Sequence, residues 1–158
     1  MPQLPDAIFE RRVNAEYDEL RGAGVSFSCN ASRTEYEVEL KAKGIAKQGT
    51  QIVSVDTHRV LFRILRSYPY AGGLEVTWLT PIFHPNIRSA DGRVCIQLLN
   101  AWAESQGLVD LVGGLRQLLE HPNPDDPLDP EAAEYYARNP QASSSDAPPQ
   151  RRGSRIVA

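Results

Sequence analysis

The residues of this chain best suited to covalent chemistry are its cysteines, and there are two, Cys29 and Cys95. A thiol suits a carrier of acyl groups, because a thioester is activated toward amines yet hydrolyses slowly enough to be handed on. An unperturbed thiol titrates near ~8.5, which leaves a small thiolate fraction at neutral pH. Cysteine therefore needs less help from a neighbouring base than the other common nucleophiles. The settings of the two differ. Cys29 shares one side of a short strand candidate with Val25 and Phe27 and reads as a small core residue, as most free cysteines are. Cys95 follows Gly92-Arg93-Val94 in a stretch with little periodicity. A Cys95–His84 pair could make a thiol hydrolase, but no Asn or Asp can be assigned to orient the ring, and a base must also have reach. His58 and His121 read as ordinary surface or turn residues. Two cysteines and three histidines lack metal-ligand spacing, so neither a metal site nor a disulfide framework is expected.

A chain of 158 residues can build one domain with a real core. A net charge of -3 argues against a dedicated nucleic-acid binder, which usually carries a basic patch or stripe. No apolar run approaches the ~20 residues of a membrane helix. The start lacks a basic region followed by an apolar one, so no secretory signal is read and a cytoplasmic location is the default. The only lysines are Lys41, Lys43 and Lys47, which offers few sites for self-modification; a compositional bias explains this equally well.

The elements that must position Cys95 follow from periodicity. Pro5 to Arg21 reads as a helix with Phe9, Val13, Tyr17 and Leu20 on one face, Asp6 as cap and Gly22 as stop. Arg11 and Arg12 fall off that stripe and read as solvated. Val25 to Cys29 is a short strand. Tyr36, Val38 and Leu40 alternate with charged residues, which predicts a strand with one wet face. Gly44 to Gly49 reads as a turn. Gln51 to Val55, Val60 to Leu65 and Leu74 to Leu79 complete an antiparallel meander. Thr80 to Trp102 is irregular but rich in apolar residues, so it reads as an ordered functional loop. Leu108 to Glu120 repeats leucines at three and four, a second helix. The proline tract after it forbids helix until Asp129 caps a short third one through about Ala137. Residues 1–140 are read as one domain and 141–158 as a flexible tail rich in Ser, Pro, Gln and Arg.

With these segments placed, the sequence resembles the ubiquitin-conjugating enzyme family over roughly residues 5 to 138. Tyr68-Pro69 leads to Pro81-Ile82-Phe83-His84-Pro85-Asn86-Ile87, which looks like the family's His-Pro-Asn segment. Gly92 to Leu99 looks like its active-site segment, G-x-[IV]-C with an apolar run. Trp102 and Pro122-Asn123-Pro124-Asp125-Asp126-Pro127-Leu128 follow in order. The resemblance implies an α+β fold: an N-terminal helix, a four-stranded antiparallel meander, the active-site loop, a crossing helix and a short C-terminal helix. The periodicity alone gives the same order.

The resemblance also implies roles. Cys95 would hold a ubiquitin-like modifier as a thioester, taken from an activating enzyme that itself uses ATP; the chain would need no cofactor of its own. Asn86 would stabilise the oxyanion, or else brace the loop through backbone bonds. Asp126, with Asp125 next best, would orient the incoming lysine and take its proton, or else serve as a turn residue. His84 and Pro85 would support the loop. Tyr70, Arg11, Arg12, Glu104 and Ser105 match partner-binding positions, for the activating enzyme or for a ligase; a protein substrate could also be met directly. Tyr68, Pro69, Trp78, Pro81 and Trp102 are read as packing. The departures are one more residue between Asn86 and Cys95 than is common, Ile96-Gln97 after the cysteine, and Ala103-Glu104-Ser105 after the tryptophan. They suggest a divergent, minimal member, and prompt the guess of a prokaryotic one. The competing readings are an inactive modifier-binding variant of the same fold and the Cys–His hydrolase.

Overall fold

The computed structural model describes residues 2–94 and 105–142. Cys95, Trp102 and Glu104 lie outside the described residues, as do all of the tail residues from 143 on.

Helix α1 (Asp6–Gly22) is followed by strands β1 (Ser26–Cys29), β2 (Glu35–Gln48), β3 (Gln51–Ile64) and β4 (Leu74–Trp78). Two short strands come next, β5 (Ile87–Arg88) and β6 (Arg93–Val94), then helices α2 (Leu108–Glu120) and α3 (Pro130–Arg138) and a 3-10 turn (Pro140–Ala142). The sheet order is β1-β2-β3-β4-β6-β5, all antiparallel, so the first four strands form the expected meander.

Alternation decides which face is buried. Tyr36, Val38 and Leu40 on β2 meet Val60, Phe62 and Ile64 on β3, with Val76 and Trp78 on β4. Leu108, Leu111, Leu115 and Leu119 of α2, and Val13 and Leu20 of α1, pack against this face, and Phe9 and Tyr17 flank it. Each fully buried leucine of that set contributes about 2 kcal/mol by leaving water. The opposite face carries Arg59–Glu37 at 2.8 Å and Arg63–Glu75 at 2.9 Å, exposed pairs of the wet side.

Several expectations are corrected. Gly44 to Gly49 is not a turn. β2 runs through it with a bulge between Lys41 and Gly44, and the reversal is confined to Gly49 and Thr50. Gly44 is small for a packing reason: a Cβ there would lie 2.9 Å from the His58 ring. The two strands read on either side of Asp56 are the single strand β3. Asp6 does not cap α1; it occupies the first turn and pairs with Arg66 at 2.5 Å, while Pro5 precedes the helix and Gly22 is still inside it. Pro81 is exposed rather than packed. Part of the stretch from Thr80 on is regular, since β5 and β6 form a hairpin closed by Arg88–Asp91 at 2.6 Å. Gln141 and Ala142 belong to the 3-10 turn, and Ala142 is buried with Ile45, Phe83 and Ala132 in a second, smaller cluster.

Candidate functional site

His84 is fully buried between β-hairpin and helix. Its Nδ1 accepts the Asn86 N–H at 3.0 Å, which leaves Nε2–H to donate to the Leu118 carbonyl at 2.9 Å. That pattern requires the neutral ring, and burial pushes its pKa down to about 4. With both nitrogens engaged, His84 has no free site to act as a base. It holds the loop to the end of α2.

Asn86 is 1% exposed and grips one peptide from both sides. Its Nδ2 donates to the Asn123 carbonyl at 2.8 Å, and its Oδ1 accepts the Asn123 N–H at 2.8 Å. The Pro85 carbonyl accepts from Leu128 N–H (2.8 Å) and Asp129 N–H (3.1 Å). The segment 84–86 is therefore laced to 123–129 by four bonds, and the bracing role expected of Asn86 is present. One N–H of its amide is used by Asn123; the second has no partner among the described residues.

The lacing puts Asp125 and Asp126 at an exposed turn. Asn123 Oδ1 caps it by accepting the Asp125 N–H at 2.9 Å. Asp126 has φ 52, in the left-handed region, and its carboxylate makes no bond among the described residues. Asp126 is thus a turn residue, and the side chain that caps the turn is that of Asn123.

β6 leads from this frame to Cys95. Gly92, at φ 75, approaches β4 so closely that a Cβ would meet the Trp78 carbonyl at 2.1 Å. Burial and that contact pin the N-terminal stem of the cysteine segment. The C-terminal stem is pinned by residues that sequence reasoning missed. Glu16 is 1% exposed on the apolar face of α1. Its Oε1 accepts the Leu108 N–H at 2.9 Å, capping α2 where Gly107 has no side chain to do so. Glu16 also takes Arg12 at 3.1 Å and the Tyr68 hydroxyl. Arg12 reaches the Gln106 carbonyl at 2.6 Å and lies over the Tyr68 ring. So Arg12 is not a solvated residue: it ties α1 to the entry of α2. Arg11 and Ser105 are exposed and Tyr70 is half-buried, as partner contacts need. The signal for Glu16 was present, since it falls between Val13 and Leu20 on the helix stripe.

His58 is corrected as well. It is fully buried on β3, beside Trp78 (ring centroids 5.3 Å), with Nε2 3.0 Å from the Ala42 carbonyl; burial lowers its pKa. Cys29 is free and half-buried against the main cluster. Among the described residues there is no cluster of His, Cys, Asp and Glu able to hold a metal, and no helix long and apolar enough to cross a membrane.

A family description, "Ubiquitin-conjugating enzyme", matches residues 26–148. The chain is 34% identical over 68 residues to ubiquitin conjugating enzyme E2 B of Dictyostelium discoideum, covering 43% of this chain and 46% of that one. It is 46% identical over 59 residues to ubiquitin-conjugating enzyme E2 T of Bos taurus, covering 34% and 30%. The chain spans about half or less of the length of these curated relatives. Two solved structures share the fold. A Toxoplasma gondii ubiquitin conjugating enzyme E2 domain has a TM-score of 0.66 at 22% identity, covering 85% of this chain and 93% of that one. A "putative ubiquitin conjugating enzyme" from Plasmodium yoelii has a TM-score of 0.65 at 25% identity, covering 85% of this chain and 89% of that one.

Proposed function

The chain belongs to the ubiquitin-conjugating enzyme family, and from that premise we propose that it accepts a ubiquitin-like modifier as a thioester on Cys95 and passes it to an amine or a second thiol. The observation that carries this reading is the Asn86–Asn123 clamp. It fixes an amide donor and an exposed aspartate turn to the strand that runs into Cys95. In the first step the Cys95 thiolate attacks the thioester on the activating enzyme, whose thiol leaves. In the second, a lysine amine attacks the Cys95 thioester, the spare Asn86 N–H donates to the developing oxyanion, and the proton passes to Asp126 or solvent. The Cys95 thiolate then departs. Loss of one such donor costs about a hundredfold in rate or more. The chain uses no cofactor of its own; ATP is consumed by the activating enzyme. On this reading the activating enzyme is met at Arg11, a further partner, a ligase or the protein substrate itself, is met at Tyr70, Glu104 and Ser105, and the reaction takes place in the cytoplasm. The hydrolase reading loses its base, because both His84 nitrogens are bonded.

The test incubates the protein with ubiquitin, its activating enzyme and ATP, followed by a gel without reductant. A thiol-sensitive adduct is expected, absent in Cys95→Ala. Asp126→Ala should load normally and discharge slowly to free lysine, and Asn86→Ala should discharge about a hundredfold more slowly. An adduct that survives in Cys95→Ala ends the proposal for that cysteine. Equal loss of loading and discharge in Asp126→Ala removes its role.

A further inference from the structure

Beside the site lies an open groove of about 690 Å³, walled by segment 79–83, the β5–β6 turn at 89–92, the start of α3 and Lys47. Leu79 is 45% exposed; among the described residues only one other large apolar side chain, Ile8 on α1, is comparably exposed. The charged residues lining the groove are Asp91, Asp129, Glu131 and Lys47, an acidic excess. Asp91 already accepts from two Arg88 nitrogens and the Arg93 N–H, whereas Asp129 has the Ala132 N–H and Glu131 has Lys47. A carboxylate keeps further lone pairs for a second cation.

The described chain ends beside this groove. Ala142 is buried in the same cluster as Phe83, which lines the groove, and Lys43 holds the Gln141 carbonyl at 2.6 Å. Residues 143–158 continue from there. They carry Arg151, Arg152 and Arg155 against one acid, Asp146, and then Ile156 and Val157. We infer that segment 143–158 docks in this groove of its own chain, its arginines against Asp129, Glu131 and Asp91 and its Ile156-Val157 pair on Leu79. The charges are opposite and the apolar ends match. An extended chain from Ala142 to Ile156 reaches up to ~45 Å, so length is no obstacle. Tethering supplies an effective concentration on the order of 1 mM, so a weak contact is enough to populate the docked state. The docking itself does not depend on the proposed reaction.

The test places a spin label on Ser154→Cys in the full chain, with Cys29→Ala and Cys95→Ala, and reads amide line broadening. The signals of Leu79, Ala90 and Glu131 are expected to lose more than half their intensity at low salt, while Phe27 and Glu37 keep theirs. At 1 M salt, where screening acts over ~3 Å, the groove signals recover. They recover equally when Arg151, Arg152 and Arg155 are all changed to Glu. Broadening absent from the groove, or centred on another face, overturns the inference. So does equal broadening of an isotope-labelled chain by the tail of a separate spin-labelled copy. A second measurement avoids cysteine removal: in the otherwise unaltered chain, the three Arg→Glu changes should shift the amides of Leu79, Ala90 and Glu131 alone. Unmoved groove signals there also overturn it.

Discussion

Helix α2 is held at both ends by a buried polar group, and the two groups are of opposite kinds. At its start, Glu16 brings a carboxylate to the Leu108 N–H, the Tyr68 hydroxyl and the Arg12 guanidinium. Near its end, His84 brings a neutral ring that donates to Leu118 and accepts from Asn86. The polarity matches the helix: its first turn presents N–H groups and a partial positive charge, its last turn free carbonyls. A carboxylate satisfies the former as an acceptor, and a ring N–H satisfies the latter as a donor. The difference teaches where charge is tolerated in this core. Glu16 sits beside a partly exposed arginine, whereas His84 is enclosed and has been kept uncharged.

Breaking the charged end should cost most. Glu16→Ala removes the acceptor shared by the Leu108 N–H, the Tyr68 hydroxyl and Arg12, and stability in urea should fall by about 3–5 kcal/mol, the range for breaking a buried pair. Glu16→Gln keeps the shape and one acceptor and should cost less than half of that. The neutral end should show itself through pH. His84 titrates at about 4 in the folded chain against 6.5 unfolded. The unfolded chain therefore binds the extra proton between those values. The stability His84 contributes is complete above about pH 6.5, falls as pH drops, and is gone near pH 4, a change of about 3 kcal/mol. Denaturant melts from pH 7 to 4 should show this slope, and His84→Gln should flatten it in part. His58, shifted in the same direction by burial, and Asp91, held low by Arg88, contribute to the slope that is left. An unchanged slope in His84→Gln would mean the ring is not enclosed as described. The smallest effect belongs to the wet face: Arg59→Ala, which removes the exposed pair with Glu37, should change stability by less than ~1 kcal/mol.

How much of this was legible depended on whether a residue's reason was local. Helix α2 runs from Leu108 to Glu120 as read, because its leucine repeat is unbroken and prolines close it. Asp129 caps α3 through the Ala132 N–H, again a local pattern. Gly44 misled because glycine signals a turn when only the chain neighbours are known; its cause is a ring from the facing strand. His58 shares the parity of Val60, Phe62 and Ile64, so extending the alternation backward would have placed it inside. The resemblance pointed to Asn86 and to the Asp125–Asp126 turn. It did not show that Asn123, by its backbone and its side chain, is what joins them.

The three lysines have a consequence of their own. All lie on β2, within one stretch of a two-stranded ribbon, and two of them reach across to the far end of the chain: Lys43 to the Gln141 carbonyl and Lys47 to Glu131. Any reagent that acylates side-chain amines must therefore land on that ribbon. Where it takes Lys43 or Lys47 it also cuts a tie to the segment leading out of the domain, so side-chain amine chemistry on this molecule is at the same time a way of loosening its carboxyl-terminal anchorage.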